Sequence, residues 1–155
     1  HLMTSQNYVP FEVANIRNVV TDLGKNGVQA LEKEKFIALG DSIDVMITDA
    51  AAVKNIAPLY AEDSTIFDTC KAWNDGEVYL QMAYNAYYTN YEITLMNTWF
   101  IAKTVYPELF SDIDISAKAD EITNAFLGTE LADEIFACPA SFGGYQQIDT
   151  QSFFG

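Results

Sequence analysis

The chain has 155 residues, half of them hydrophobic, with 8 Lys and Arg against 22 Asp and Glu and a formal net charge of −14. That length fits one domain with an ordinary buried core, and the charge opposes binding to nucleic acid or anionic membrane, where each phosphate contact calls for a Lys or Arg. No apolar run approaches the length of a bilayer crossing and no basic segment precedes a hydrophobic one, so no leader or anchor is read from the sequence. His1-Leu2-Met3 looks like a vector-derived scar. Residues 1–6 are expected to be that scar or a disordered start, with the true beginning and any localisation signal upstream.

Val13, Ile16, Val20 and Leu23 recur at helical spacing before Gly24, predicting a first helix over about 11–23. Val28-Gln29-Ala30 reads as a short extended piece, 32–39 as a short helix stopped by Gly40, and 43–49 (IDVMITD) as a buried strand. A loop and short helix follow over 50–57 with Pro58 as the stop, and 64–73 is amphipathic. The turn residues Asn74-Asp75-Gly76 introduce a second strand at 77–82. Thr89-Asn90-Tyr91-Glu92 reads as a capping box in which Thr89 and Glu92 satisfy orphan amides, opening a long apolar helix over 89–105 that ends before Pro107. Helices over 116–127 and 130–137 are bounded by Gly128 and Pro139.

Strand and helix alternate, which argues for an α/β fold with a parallel sheet and helices on both faces. Two convincing strands are too few for a stable layer, and a strand upstream of Asn7 would make up the shortage. No repeat, linker or low-complexity segment marks a second domain.

The loop between the second strand and the capped helix must lie at the carboxyl end of that strand, where open α/β sheets bind ligands. It offers Tyr84, Asn85, Tyr87 and Tyr88. The competing reading is that these rings pack beneath the loop as core. Four polar-tipped groups together weigh toward a site, since Leu or Phe would serve a core as well. Asp44 and Asp49 bracket the first strand and invite comparison with a phosphoacceptor cluster. The simpler reading puts Asp44 at the strand's start and Asp49 at its end as a helix cap.

Nucleophilic catalysis needs a base beside the nucleophile, and the only histidine is His1. There is no Gly-x-Gly-x-x-Gly, P-loop or zinc spacing, and carboxylate pairs arise by chance in so acidic a chain, so no enzyme is expected. Cys70, on an apolar face with Ile66 and Trp73, reads as a buried thiol, and its pairing with Cys138 is open.

Several strings together, ALGDSIDVMITDA, CKAWNDGEVYLQMAYNAYYTNYE and NTWFIAKTVYPELFSDIDISAKADEITNAFLG, resemble the C-terminal lobe of ABC-transporter substrate-binding proteins of the iron-siderophore and cobalamin class (class III periplasmic binding proteins). The resemblance runs from about residue 8 to 148 and is most specific at Tyr84-Asn85, Tyr88, Asn90-Tyr91-Glu92, Tyr106-Pro107-Glu108 with Phe110, Asp112-Ile113-Asp114, and Lys118-Ala119-Asp120-Glu121-Ile122. It implies that residues 7–155 are one three-layer α/β/α, Rossmann-like lobe lacking its first strand. The lobe would face an N-terminal lobe of the same protein across a ligand cleft.

It further implies an extracytoplasmic protein, periplasmic or a cell-surface lipoprotein, that has no intrinsic cofactor and delivers a metal complex to the ABC permease subunits. The half-site would be Tyr84, Asn85, Tyr87 and Tyr88, with Asn15, Arg17 and the 49–51 loop as weaker candidates. Glu34, then Glu32, would dock on permease arginines, against a competing role in the helix dipole. A triply anionic ferric catecholate would need several cationic contacts, whereas this lobe has Arg17 and scattered lysines. A neutral or weakly charged chelate, a haem-like or corrinoid ring, or iron reached by a tyrosine phenolate fits better. The alternative is a stand-alone acidic α/β interaction domain that meets a basic protein partner.

Overall fold

The computed structural model describes residues 1–85 and 87–155; Ala86, inside the aromatic loop, lies outside the described residues. The chain is a mixed α/β fold with a small mixed sheet. Strand β3 (Met46–Asp49) pairs in parallel with β4 (Val78–Gln81), as the alternation predicts. A two-residue strand, β5 (Gln146–Gln147), adds antiparallel on the far side of β4 and was too short to show a pattern. Ile43 is not part of the ladder as expected, because its carbonyl accepts from the Ala72 amide at 2.9 Å.

The opening residues are not a disordered start. Leu2–Ser5 form β1, antiparallel to β2 (Val28–Leu31), and Leu2 and Leu31 are both buried against the main core. A strand thus lies before Asn7, in residues not expected to hold one, and it makes a separate two-stranded sheet instead of extending the parallel one.

Three helical expectations are corrected. Helix α1 covers only Val9–Val13: Asn15 takes a left-handed φ of 53°, and the Ile16 amide turns back to the Phe11 carbonyl at 2.8 Å. Asparagine tolerates that conformation better than most residues. Pro58 does not stop its helix, which runs Val53–Glu62 (α3). Proline deletes one helical bond, but Val53, Ile56 and Leu59 bury a continuous stripe that offsets the loss. Residues 64–73 split into a 3-10 turn (Ser64–Phe67) and α4 (Lys71–Asp75), with Cys70 extended between them. The break lets Phe67 stack on Trp73 at 4.1 Å.

Helix α2 spans Lys33–Leu39, followed by a 3-10 turn over Gly40–Ser42. Helix α5 spans Tyr91–Val105 and is capped by Asn90, whose side chain accepts from the Ile93 amide at 3.0 Å. The cap thus sits one residue later than expected, since Thr89 is engaged in a bridge with Asn85. Helix α6 (Ile115–Leu127) is capped by Asp114 and ends at Gly128 with φ +75°. It supplies side chains that start α7 (Ala132–Ala137): Thr123 Oγ1 accepts from Leu131 N at 3.1 Å and Asp120 Oδ1 from Ala132 N at 2.8 Å. Helix α8 (Thr150–Phe154), unread in the sequence, brings Phe154 against Trp73.

Side chains alternate across β4. Val78 and Leu80 are buried in the main core with α3 and α4, whereas Tyr79 meets Phe100 of α5. Met82, just past the strand, joins a second cluster with Ile93, Met96, Ala119, Ile122 and Ala132. Among the described residues no helix is long and apolar enough to cross a membrane.

Candidate functional site

Beyond the carboxyl ends of β3 and β4 lies a cavity of about 410 Å³, lined by Tyr8, Phe11, Asp49, Gln81, Tyr84 and Asn85 among others. Parallel pairing puts Asp49 and Gln81 side by side as the last residues of their strands, so the sheet itself sets the cavity's polar floor. The Tyr8 hydroxyl donates to Gln81 Oε1 at 2.8 Å, and Gln81 Nε2 stands 3.5 Å from Asp49 Oδ2. The Tyr8 ring meets Phe11 edge-on at 5.1 Å and Tyr84 at 5.4 Å. Three aromatic rings therefore border one carboxylate.

Asp49 Oδ1 accepts from the Ala51 amide at 2.8 Å, the helix-capping role read from the sequence. Burial pushes its carboxyl above the ordinary value, opposed by hydrogen bonds from Ala51, Gln81 and the Tyr84 backbone. Burial likewise raises the Tyr8 and Tyr84 phenols. At neutral pH, with no cation bound, these tyrosines are hydroxyl donors.

Deeper in, Asn97 is fully buried in α5 and joins two elements: its Nδ2 donates to the Met82 carbonyl at 2.9 Å, and its Oδ1 accepts from the Tyr145 hydroxyl at 2.7 Å. These bonds fix the start of the aromatic loop. Burial raises the Tyr145 phenol well above its usual value.

The sequence-derived candidates separate. Tyr84 and Asn85 line the cavity together with Asp49 and Ala51. Tyr87 and Tyr88 are 96% and 88% exposed and do not line it, so they are neither core nor cavity wall. Asn15 is exposed, its carbonyl accepting from the Tyr106 hydroxyl at 2.9 Å. Arg17 borders an adjoining, mostly apolar cavity of about 310 Å³ beside β3, where the buried Thr48 hydroxyl finds no partner among the described residues. Glu32 and Glu34 are exposed at the amino end of α2, neither belonging to the cavity. Asp44 is exposed and pairs with Lys71 at 2.7 Å, at the other end of β3 from Asp49.

Sequence reasoning missed Tyr8, Gln81 and Asn97. The available signals were a polar residue closing a buried strand and a lone Asn within an apolar helix. Cys70 is buried, Cys138 is exposed, and both are free. No group of three or more His, Cys, Asp or Glu gathers around a common point among the described residues. No family model and no curated protein matches the chain.

Proposed function

We propose that the chain is the ligand-binding lobe of an ABC importer substrate-binding protein that captures an iron complex and passes it to a membrane permease. The observation that carries this reading is the aromatic cavity bounded by Tyr84 and Asn85 beyond the carboxyl ends of two parallel strands, where α/β folds bind small molecules. In this reading the sheet is the kernel of a three-layer Rossmann-like lobe, and the outer edge of β3 is where its further parallel strand would pair. The protein would be extracytoplasmic and would itself hold no cofactor or perform catalysis.

Tyr87 and Tyr88, exposed, would meet an N-terminal lobe across the cleft. Glu34 and Glu32, free of the cavity, would meet the permease. Tyrosine hydroxyls and amides suit the oxygen-rich rim of a neutral or weakly charged chelate, and a corrinoid or haem-like ring would use the same aromatic faces. The exposed Tyr87, Tyr88 and Tyr91 also favour the second reading, an acidic interaction domain, because large bare aromatics mark contact surfaces. Titrating intrinsic tyrosine and tryptophan fluorescence with ferric hydroxamates, haem and cobalamin separates the two: saturable quenching supports capture of a metal complex, and its absence with all three leaves the interaction domain.

A further inference from the structure

We infer that this cavity selects a ligand bearing a positively charged organic group, held by Asp49 within the aromatic border of Tyr8, Phe11 and Tyr84; the inference names the ligand class of the site proposed above and rests on that reading. Among the described residues, Asp49 is the only carboxylate lining the cavity. Its two oxygens are used unequally. Oδ1 has a good bond from the Ala51 amide and Oδ2 the 3.5 Å approach of Gln81 Nε2, at the outer limit of a useful hydrogen bond, with the Tyr84 backbone amide also directed at the carboxylate. One oxygen of a desolvated carboxylate thus retains its capacity to accept.

Gln81 cannot turn to serve it better without cost, because its Oε1 is held by the Tyr8 hydroxyl at 2.8 Å. The remaining ionisable groups at the cavity are the two phenols, neutral near pH 7, and Lys54. Lys54 is exposed on α3 and forms no ion pair with Asp49 among the described residues. Among the described residues no arginine lines this cavity.

The three rings supply what a cation needs around such a carboxylate. Aromatic faces attract an ammonium through their quadrupoles and exclude water that would screen the pair. An anionic ligand would instead meet Asp49 at close range with no guanidinium to offset it. The strong negative charge of the whole chain, −14, acts in the same direction by drawing cations toward the surface.

The test uses the 155-residue chain and a matched pair of probes: a linear ferric trihydroxamate with a free terminal ammonium, and the same complex N-acetylated to neutrality. Calorimetric titration at pH 7 should give at least tenfold tighter binding of the ammonium form. Asp49→Asn, which keeps an oxygen to accept from Ala51, should bring the affinities of the two complexes within about twofold of each other. In the wild-type chain the preference should also fade as pH drops through the Asp49 carboxyl, a readout independent of any variant's folding. Equal binding of both complexes, or a preference that survives Asp49→Asn, overturns the cation inference and leaves chelate capture standing. If neither complex binds, chelate capture falls. Benzylamine against benzyl alcohol, followed by chemical shifts of the Asp49 and Tyr84 amides, then decides the cation inference by itself: shifts with the amine alone support it, and none overturns it.

Discussion

The hydroxyl of Tyr8 donates to the side-chain oxygen of Gln81 at 2.8 Å across 73 residues of chain, tying the amino-terminal segment to the last residue of β4. Gln81 is 4% exposed, so removing its donor leaves a nearly buried polar atom without its partner. Tyr8→Phe keeps the ring against Phe11 and Tyr84 and should cost about 1–2 kcal/mol in urea unfolding. An unchanged midpoint and slope would mean that water replaces the hydroxyl.

Asn97 should be less tolerant. Its replacement by Ala orphans the Met82 carbonyl and the Tyr145 hydroxyl together, and two buried partners left without bonds should cost about 2–4 kcal/mol. Thermal unfolding reads the loss. A shift of less than a degree would show that the network carries little of the stability.

Gly40 is required for packing and not for conformation, because its φ of −45° suits any residue. A Cβ there would lie 2.2 Å from the Thr69 carbonyl oxygen and 2.6 Å from its carbon. Gly40→Ala must push the backbone before α4 and should destabilise by about 1–3 kcal/mol, the range of overpacked cores. Equal stability of wild type and variant in a guanidinium melt contradicts the contact.

Asp49 gives a pH signature whose sign follows from its raised carboxyl. In the window between the ordinary value of 3.8 and the raised native value, the folded chain binds more proton than the unfolded one, so stability falls as pH rises. Above the window the full penalty of the buried carboxylate is present, and below 3.8 it is absent. The stability of Asp49→Asn relative to wild type should therefore increase with pH across that window and then level off. A difference that is flat in pH, or that slopes the opposite way, contradicts the burial argument.

The local chemistry of this chain was readable where it depends on residues near one another in sequence. Parallel pairing of β3 with β4, the Gly128 stop, the Asp49 cap and the buried Cys70 all follow from pattern and turn residues. The place of Tyr84 and Asn85 on a cavity wall was readable, because a loop at a strand's carboxyl end has one place to go. Distant contacts decided the rest. Tyr8 and Gln81 meet through folding alone, and the Asn15 turn that shortens α1 is a single-residue backbone choice that helical spacing hides. Pro58 was misread because burial of Val53, Ile56 and Leu59 outweighs a local breaker. Tyr87 and Tyr88 share composition with Tyr84 but not its environment, a difference set by the tertiary fold.

Tyr84→Ala and Tyr88→Ala should consequently differ. Loss of the Tyr84 ring from the cavity should weaken chelate binding by at least tenfold, about 1.4 kcal/mol, in this chain alone. The exposed Tyr88 should matter only when a second lobe closes over the site. Equal effects of the two variants in calorimetry of the isolated chain would contradict this division.

The most direct measurement is an amide chemical-shift map of the chain titrated with a gallium trihydroxamate, a diamagnetic stand-in for the ferric complex. Capture in the cavity predicts saturable shifts at Tyr8, Asp49 to Ala52, Gln81, Tyr84 and Asn85, with the Glu32–Glu34 segment unmoved. Shifts spread evenly over the acidic surface, or none at saturating complex, would contradict it.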